Sequence, residues 1–240
     1  MPLLPEGLHA LHCAQTLLEP IGQRSGAVLY SGADTLKQGD IYLVGYNPGG
    51  AEERETIAGS LATLRPTGND WCNPWGAGDQ FLPIQLRVHS VFRALEVDPA
   101  SVFTTNAIFV RSGRTGSLKD PWELWWAHCW RVHQLFLSVV RPRLIVCLGN
   151  PCTSDLLQTP IRKQGAQYER AWDKSNEAQL SKGTKWVPSV PFDLGDSTRH
   201  VCHVLALPHP SQRVRRGWNG TELPAEAMAQ IKQVRAAAGL

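Results

Sequence analysis

Long apolar segments are missing from this sequence, in which no run reaches the roughly 18 residues that a membrane-spanning helix requires. Residues 1–6 also lack the basic segment followed by an apolar one that is typical of a secretion signal. Internal repeats and low-complexity tracts are absent as well. These absences argue against a membrane partner, and they predict a cytoplasmic protein with a globular fold.

Paired cysteines and nucleotide-binding glycine motifs are also missing. The six cysteines include no Cys-x-x-Cys pair, and this spacing disfavours the alternative of an iron–sulfur or zinc site. We expect free, reduced thiols and no metal or cofactor. Neither a G-x-G-x-x-G motif nor a P-loop is present, which argues against an enzyme that acts on small nucleotides. The net charge of +3 does not by itself require a nucleic-acid partner.

What the sequence does contain is an alternation of apolar, strand-like runs with amphipathic helices. Four runs have the composition of buried strands, at residues 41–44, 101–110, 144–148 and 200–207. This order predicts an α/β fold, a three-layer α/β/α sandwich around a central, mainly parallel four-stranded sheet. We expect a single domain over residues 1–240, with a polar insertion around 158–199 and a terminal helix over 225–238.

Two further predicted helices bear on the later results. One covers residues 51–64 and opens with three glutamates, which suit the first turn of a helix. The other covers residues 120–140, where an Asp-Pro pair predicts a capped start. A stripe that includes Trp126, Trp130 and His133 predicts that this helix packs against the sheet. We interpret His133 as a hydrogen-bonded core histidine rather than a ligand.

Polar side chains stand where three of the predicted strands end. Asn47 lies in the turn sequence G-Y-N-P-G-G at residues 45–50, Asn106 interrupts the second strand, and His209 follows the last. Each has a structural alternative: Asn47 as a helix cap, Asn106 in a turn, and His209 as a loop histidine. Because the carboxyl ends of parallel strands share one edge of the sheet, we expect the three side chains to converge on one crevice.

Basic residues cluster in the two loops beside this expected crevice. After Asn106 and His209, respectively, the loops carry Arg111, Arg114 and Lys119, and Arg213, Arg215 and Arg216. A basic rim with interleaved aromatic residues is typical of a surface that binds a nucleic-acid backbone. The alternative interpretation is a solvated charged loop.

The order of three motifs resembles that of the uracil-DNA glycosylase superfamily. The motifs are Gly45-Tyr46-Asn47-Pro48-Gly49, Thr105-Asn106, and His209-Pro210-Ser211 followed by Arg213. The nearest branches are the mismatch-specific and the single-strand-selective monofunctional uracil glycosylases, which have a G-x-N-P-G first motif and an H-P-S second motif. The resemblance covers residues 41–218.

That resemblance implies a monofunctional DNA glycosylase. Such an enzyme extrudes a base from DNA into a pocket at the sheet edge and hydrolyses its N-glycosidic bond, which leaves an abasic site. It requires no metal or cofactor. We expect a monomer that acts on DNA in base-excision repair of DNA damage, associated with the nucleoid if the protein is bacterial.

The resemblance also implies a role for each motif residue. Asn47 would hold the attacking water, and because an amide is a weak base the mechanism would be dissociative. His209 would stabilise the negative charge on the leaving base, while Asn106 and Tyr46 would recognise that base. Ser211 would contact a phosphate. The other DNA contacts are assigned to Gly49, Gly50, Gln212, Arg213, Val214, Arg215 and Arg216, of which residues 212–214 would fill the gap left by the extruded nucleotide.

One departure from the family concerns the aromatic residue that stacks on the extracted base. This chain has no aromatic residue between Asn47 and Trp71. The candidates are Trp71, Trp75 and Phe81. The preferred base therefore stays open between uracil and a larger modified pyrimidine, such as the bulky modified cytosines of phage DNA, whose excision would make this a defence protein. A non-catalytic DNA-binding protein of the same fold is a further alternative.

Overall fold

The computed structural model describes residues 5–50, 55–113, 118, 124–149, 185–211, 218 and 220–240, which contain one central sheet. Its strands are β1 (Ile41–Gly45), β2 (Phe103–Asn106), β3 (Leu144–Leu148), β4 (Lys185–Asp193) and β5 (Arg199–Leu207). Their order across the sheet is β2-β1-β3-β5-β4. The first four strands of that order are parallel, and β4 is antiparallel to β5. The predicted α/β fold with a mainly parallel sheet is confirmed.

The prediction of four strands is wrong, because β4 lies inside the segment 158–199 that the sequence indicates as a polar insertion. Two prolines, Pro188 and Pro191, interrupt its sequence and conceal the strand. Proline is tolerated at the edge of a sheet, where β4 lies. The pairing with β5 shifts register between Val187 and Val190, as expected at a β-bulge. Residues 158–184 of the predicted insertion lie outside the described residues.

Helices cover both faces of the sheet. They are α1 (Pro5–Leu18), α2 (Ile57–Ala62), α3 (Pro83–Leu95), α4 (Trp130–Val140) and α5 (Ala225–Ala238). In β1, Tyr42 and Val44 pack in the cluster that contains α1, α2 and α4. Ile41 and Leu43, on the opposite face, pack in the cluster that contains α3 and α5. This alternation gives the three layers predicted from the sequence.

The start of α2 differs from the prediction. The helix begins at Ile57, and the side chain of Thr56 caps it by accepting a hydrogen bond from the backbone N–H of Gly59 over 3.0 Å. Glu55 precedes the helix, and residues 51–54 lie outside the described residues. A threonine cap therefore sets the start of this helix.

A π-helical turn, Trp125–Cys129, precedes α4. In this turn the backbone N–H of Trp130 donates to the carbonyl of Trp125, five residues earlier, so that Trp125 shares a face with Trp130. Trp125 is fully buried. A continuous α-helical period selects Trp126 for this face instead. The predicted Asp-Pro cap at residues 120–121 lies outside the described residues.

His133 on α4 is a buried, hydrogen-bonded histidine, which confirms the prediction. Its Nε2 donates to the carbonyl of Ala107 over 3.2 Å, and its Nδ1 accepts from the hydroxyl of Tyr42 over 2.6 Å. The rings of Phe109 and Trp125 lie 5.1 and 5.0 Å from the imidazole, centroid to centroid. Burial lowers the pKa of His133 to about 4, so the ring is neutral and structural.

Five cysteines lie in the described residues, and all five are free thiols. Cys129, Cys147 and Cys202 are buried, whereas Cys13 and Cys72 are at least partly exposed. The prediction of free thiols is thus confirmed for these five, and Cys152 lies outside the described part of the chain. Among the helices that the structure describes, none combines the length and the apolar character needed to cross a membrane.

Candidate functional site

The carboxyl ends of the four parallel strands align at one edge of the sheet. Gly45 at the end of β1 pairs with Asn106 at the end of β2, and Leu148 of β3 pairs with Leu207 of β5. The two central strands are aligned as well, since Val44 of β1 pairs with Cys147 of β3. The outer two of these strands, β2 and β5, are three strand spacings apart, or about 14 Å. The structure therefore brings the segments that carry Asn47, Asn106 and His209 to the same edge.

The side chain of Asn106 lies over Gly45. A Cβ atom at Gly45 would be 2.3 Å from the Oδ1 of Asn106, so glycine is required for this approach. Asn106 is only 7% exposed, and its Nδ2 is buried without a hydrogen-bond partner in the described part of the chain. A buried donor without an acceptor is costly, and such groups are rare in folded proteins. This amide can therefore donate to a ligand acceptor.

His209 lies against β3 at the other side of the same edge. Gly149, which follows β3 with a φ of +106°, has the Cδ2 and Cβ of His209 at 3.1 and 3.2 Å from the place a Cβ atom would take. Glycine at this position allows both the positive φ and the close approach of the imidazole. The histidine ring is thus packed against the end of a central strand.

The hydrogen bonds of His209 define its protonation state. The backbone N–H of Ser211 donates to Nδ1 over 3.1 Å, and the Ser211 hydroxyl lies 2.7 Å from the same nitrogen. Because a backbone N–H can only donate, Nδ1 is the unprotonated nitrogen and the ring proton is on Nε2. Burial also lowers the pKa of His209. The imidazole is therefore a neutral donor through Nε2–H near neutral pH.

Asn47 is held by a serine that sequence reasoning missed. The Nδ2 of Asn47 donates to the Oγ of Ser112 over 3.0 Å and to the carbonyl of Pro48 over 2.9 Å. The backbone N–H of Ser112 donates in turn to the carbonyl of Pro48 over 3.1 Å. Within the described residues, both side-chain bonds of Asn47 come from Nδ2 and none from Oδ1. The fold thus fixes the amide by its nitrogen.

Arg111, which the sequence assigns to a basic rim, contacts the first motif. Its guanidinium donates to the carbonyl of Gly49 and, through Nε over 3.2 Å, to the hydroxyl of Ser25. A charged donor on the Gly49 carbonyl stabilises the turn that carries Asn47. No sequence pattern marks Ser112 or this contact, because both depend on the loop after β2 folding back onto the loop after β1.

A cavity of about 770 Å³ opens beside the first motif. Gly49 and Gly50 form part of its wall, together with groups from two other segments that include Tyr30, Trp75 and the Arg65–Asp70 ion pair. Burial raises the pKa of Asp70, although the Arg65 guanidinium opposes this shift. Among the described residues that line the cavity, neither asparagine of the site nor His209 is included. The cavity therefore adjoins the three-residue site rather than coinciding with it.

The four aromatic residues proposed for base recognition occupy different environments. Trp75 is 40% exposed and lines the cavity, and its ring lies 4.8 Å from that of Trp71. Trp71 is buried and belongs to the core cluster under α3. Tyr46 is buried in the opposite core cluster. The ring of Phe81 packs edge-on against that of His89, 4.8 Å away. Trp75 is therefore the candidate placed to contact a ligand in this cavity.

The remaining predicted DNA contacts follow His209. Ser211, which is assigned to a phosphate, contacts the imidazole of His209 through its hydroxyl and its backbone N–H. Five further residues lie outside the described part of the chain: Gln212, Arg213, Val214, Arg215 and Arg216. The same holds for Arg114 and Lys119 in the loop after β2. In the described part of the chain, no group of three or more His, Cys, Asp and Glu side chains is arranged to hold a metal ion.

The three principal residues share a chemical property, which is that each is neutral. Asn106 and His209 present donors, and the Oδ1 of Asn47 is an acceptor. The two amides are poor proton acceptors, and all three groups are good hydrogen-bonding partners for charge that develops on a ligand. The comparisons with known proteins add no family to this picture, since neither a protein-family model nor a curated protein sequence matches the chain.

Proposed function

We propose that the protein is a monofunctional DNA glycosylase that hydrolyses the N-glycosidic bond of a uracil or another modified pyrimidine extruded from DNA. The observation that carries this proposal is the placement of Asn47, Asn106 and His209 at one edge of a parallel sheet. In open α/β sheets this edge is the usual site of ligand binding. The motif resemblance and the chemistry of the three side chains both support the assignment.

The proposed reaction is dissociative. The bond between the base nitrogen and C1′ of the deoxyribose breaks, and its electron pair leaves with the base. The sugar becomes an oxocarbenium ion, to which water adds at C1′ with loss of a proton, and the base takes up a proton after departure. The products are a free base and an abasic site. Asn47 would orient the water through Oδ1, since its Nδ2 is held by Ser112.

His209 would stabilise the leaving base. A neutral imidazole with its proton on Nε2 donates a hydrogen bond to the carbonyl oxygen on which negative charge develops. Because Ser211 holds Nδ1, the donor is preorganised before the substrate arrives. A single preorganised donor of this kind typically contributes on the order of 10²–10³ in rate.

Asn106 would recognise the base. Its buried Nδ2 needs an acceptor, and a pyrimidine carbonyl oxygen supplies one. A site built to pair a buried donor discriminates against ligands that leave the donor unpaired. This contact favours a base that presents an oxygen to the amide.

The test is an abasic-site assay on single- and double-stranded DNA that contains one uracil. We expect the wild-type protein to form abasic sites, and His209→Ala and Asn47→Ala to do so more slowly, the former by about 10²–10³. The matched control is His12→Ala, which removes an exposed histidine of α1, remote in sequence from the site. His209→Ala at wild-type rate would refute the assignment. A wild-type protein that binds DNA but releases no base from a panel of substrates would favour the non-catalytic alternative.

A second candidate function differs only in the base. The cavity of about 770 Å³ beside Gly49 and Gly50 is within the range of about 300–1,000 Å³ that holds drug-sized ligands. Its wall combines Trp75 with hydroxyl, carboxylate and guanidinium groups. These features favour excision of a bulky modified cytosine, as in phage DNA, by a defence protein. Trp75→Ala should then slow the release of the bulky base while the release of uracil is unchanged, and equal effects on both bases would contradict this candidate.

A further inference from the structure

Arg87 on α3 is a buried arginine that contacts the segment following His209. The residue is 9% exposed. Its guanidinium donates through Nη1 to the carbonyl of Pro210 over 2.6 Å and through Nε to the carbonyl of Gly220 over 2.8 Å. The two carbonyls lie at the two ends of the segment 210–220. A single planar fork therefore joins both ends of this segment to α3.

The ring of Trp218 adds a third contact. The guanidinium carbon of Arg87 lies 5.8 Å from the centre of the Trp218 ring, which is 2% exposed. At this distance the cation is attracted to the aromatic ring. The site is specific for arginine, since a lysine ammonium lacks the planar fork that donates in two directions.

The contact with Pro210 reaches His209 through one peptide unit. The carbonyl of Pro210 and the N–H of Ser211 belong to the same peptide bond, which is planar. Arg87 holds the carbonyl end of that plane, and the N–H end donates to Nδ1 of His209. We propose that Arg87 is a positioning residue, which fixes the Pro210–Ser211 peptide and thereby holds His209 with its proton on Nε2.

The consequence for catalysis rests on the proposed glycosylase function, but the positioning itself does not. If the peptide plane turns, Ser211 no longer donates to Nδ1, and the neutral ring is free to carry its proton on either nitrogen. The donor that would face the leaving base is then present for only part of the time. A displacement of about 1 Å at such a group typically costs on the order of 10² in rate.

The experiment compares three variants in the full chain. Arg87→Met removes all donors and keeps a long apolar side chain, and Arg87→Lys keeps the charge without the fork. Arg93→Gln is the matched control, because Arg93 lies on the same helix and forms an exposed ion pair with Glu222, close to the same segment. Thermal melting identifies the variants that fold. The readout is the pair of ¹⁵N chemical shifts of the His209 ring, which report the protonation of Nδ1 and Nε2 separately.

We expect wild type and Arg93→Gln to show an unprotonated Nδ1 and a protonated Nε2. Arg87→Met and Arg87→Lys should show averaged shifts from a mixture of tautomers, and kcat for base release should fall by about 10–100-fold. The proposal is overturned if either folded Arg87 variant keeps the wild-type shifts, or if wild-type His209 is not held with its proton on Nε2. A wild-type protein without glycosylase activity would remove the proposed function, whereas the ¹⁵N result would still decide the role of Arg87.

Discussion

Replacing Gly45 by alanine tests the contact on which the geometry of the site depends. Gly45 ends β1, and the Oδ1 of Asn106 would lie 2.3 Å from the new Cβ atom, whereas ordinary contacts begin at 3.4 Å. The amide of Asn106 must therefore move by about 1 Å, because the backbone of two paired strands is less free to move than a side chain. The substitution introduces no other change in polarity or charge.

The substitution is expected to lower both the activity and the stability of the protein. A shift of about 1 Å in a group that orients the substrate typically costs on the order of 10² in rate. Overpacking of this kind typically costs about 1–3 kcal/mol of unfolding free energy. We therefore expect a folded protein whose rate of abasic-site formation falls about 100-fold, with a modest loss of thermal stability.

The assay is single-turnover release of the base, in parallel with thermal melting. Gly39→Ala is the control, since a Cβ atom there meets its nearest neighbour at 3.7 Å, which is ordinary van der Waals contact. The reasoning is refuted if Gly45→Ala retains the wild-type rate, because Asn106 would then tolerate displacement. An unfolded Gly45→Ala protein would show that the strands cannot adjust, and Asn106→Ala would then be the variant to assay.

Three further predictions concern the anchor of Asn47, the core histidine and the binding of DNA. Ser112→Ala removes the acceptor for Nδ2 of Asn47, and since such a bond is worth about 0.5–1.5 kcal/mol we expect a rate up to about tenfold lower; an unchanged rate would show that Asn47 needs no anchor. The pKa of His133 is lowered from 6.5 to about 4, so below pH 6.5 the unfolded chain takes up a proton that the folded chain does not. Stability should therefore fall between pH 6.5 and 4, by up to about 3 kcal/mol. Urea unfolding should show a weaker pH dependence in His133→Phe than in wild type, and equal slopes would contradict this account. If the arginines of segment 212–217 bind phosphates, the affinity for DNA should fall steeply between about 50 and 200 mM salt. An affinity that does not change over this range would contradict that assignment.

The sequence predicts the parts of the fold that depend on local pattern. The terminal helix over 225–238 agrees with the bounds of α5, and the apolar run at 144–148 agrees with β3. Both have a composition and flanking residues that fix their type without help from the rest of the chain. The edge strand β4 is different, because its prolines oppose a strand. It is stabilised by its pairing with β5 and by the burial of Val190 and Phe192 in the core.

The candidate site likewise has a part that the sequence predicts and a part that it does not. The placement of Asn47, Asn106 and His209 at strand ends can be predicted from the sequence, because parallel strands share one carboxyl edge. The contacts that orient these side chains cannot be predicted from the sequence. Ser112 lies 65 positions from Asn47, and Arg87 lies 123 positions from Pro210. Such contacts arise only when distant segments meet in the folded chain, and nothing in either local sequence indicates the partner.

The most direct test of the glycosylase proposal measures both products of one reaction. DNA that carries uracil, and in parallel DNA that carries a bulky modified cytosine, is incubated with the protein, and the free base is identified by mass spectrometry while abasic sites are counted on the strand. The account predicts equal amounts of intact free base and abasic site from at least one substrate, and a loss of both products in the Asn47→Ala, His209→Ala double variant. Products that the double variant forms as fast as wild type, or the absence of free base from every modified DNA tested, would contradict it.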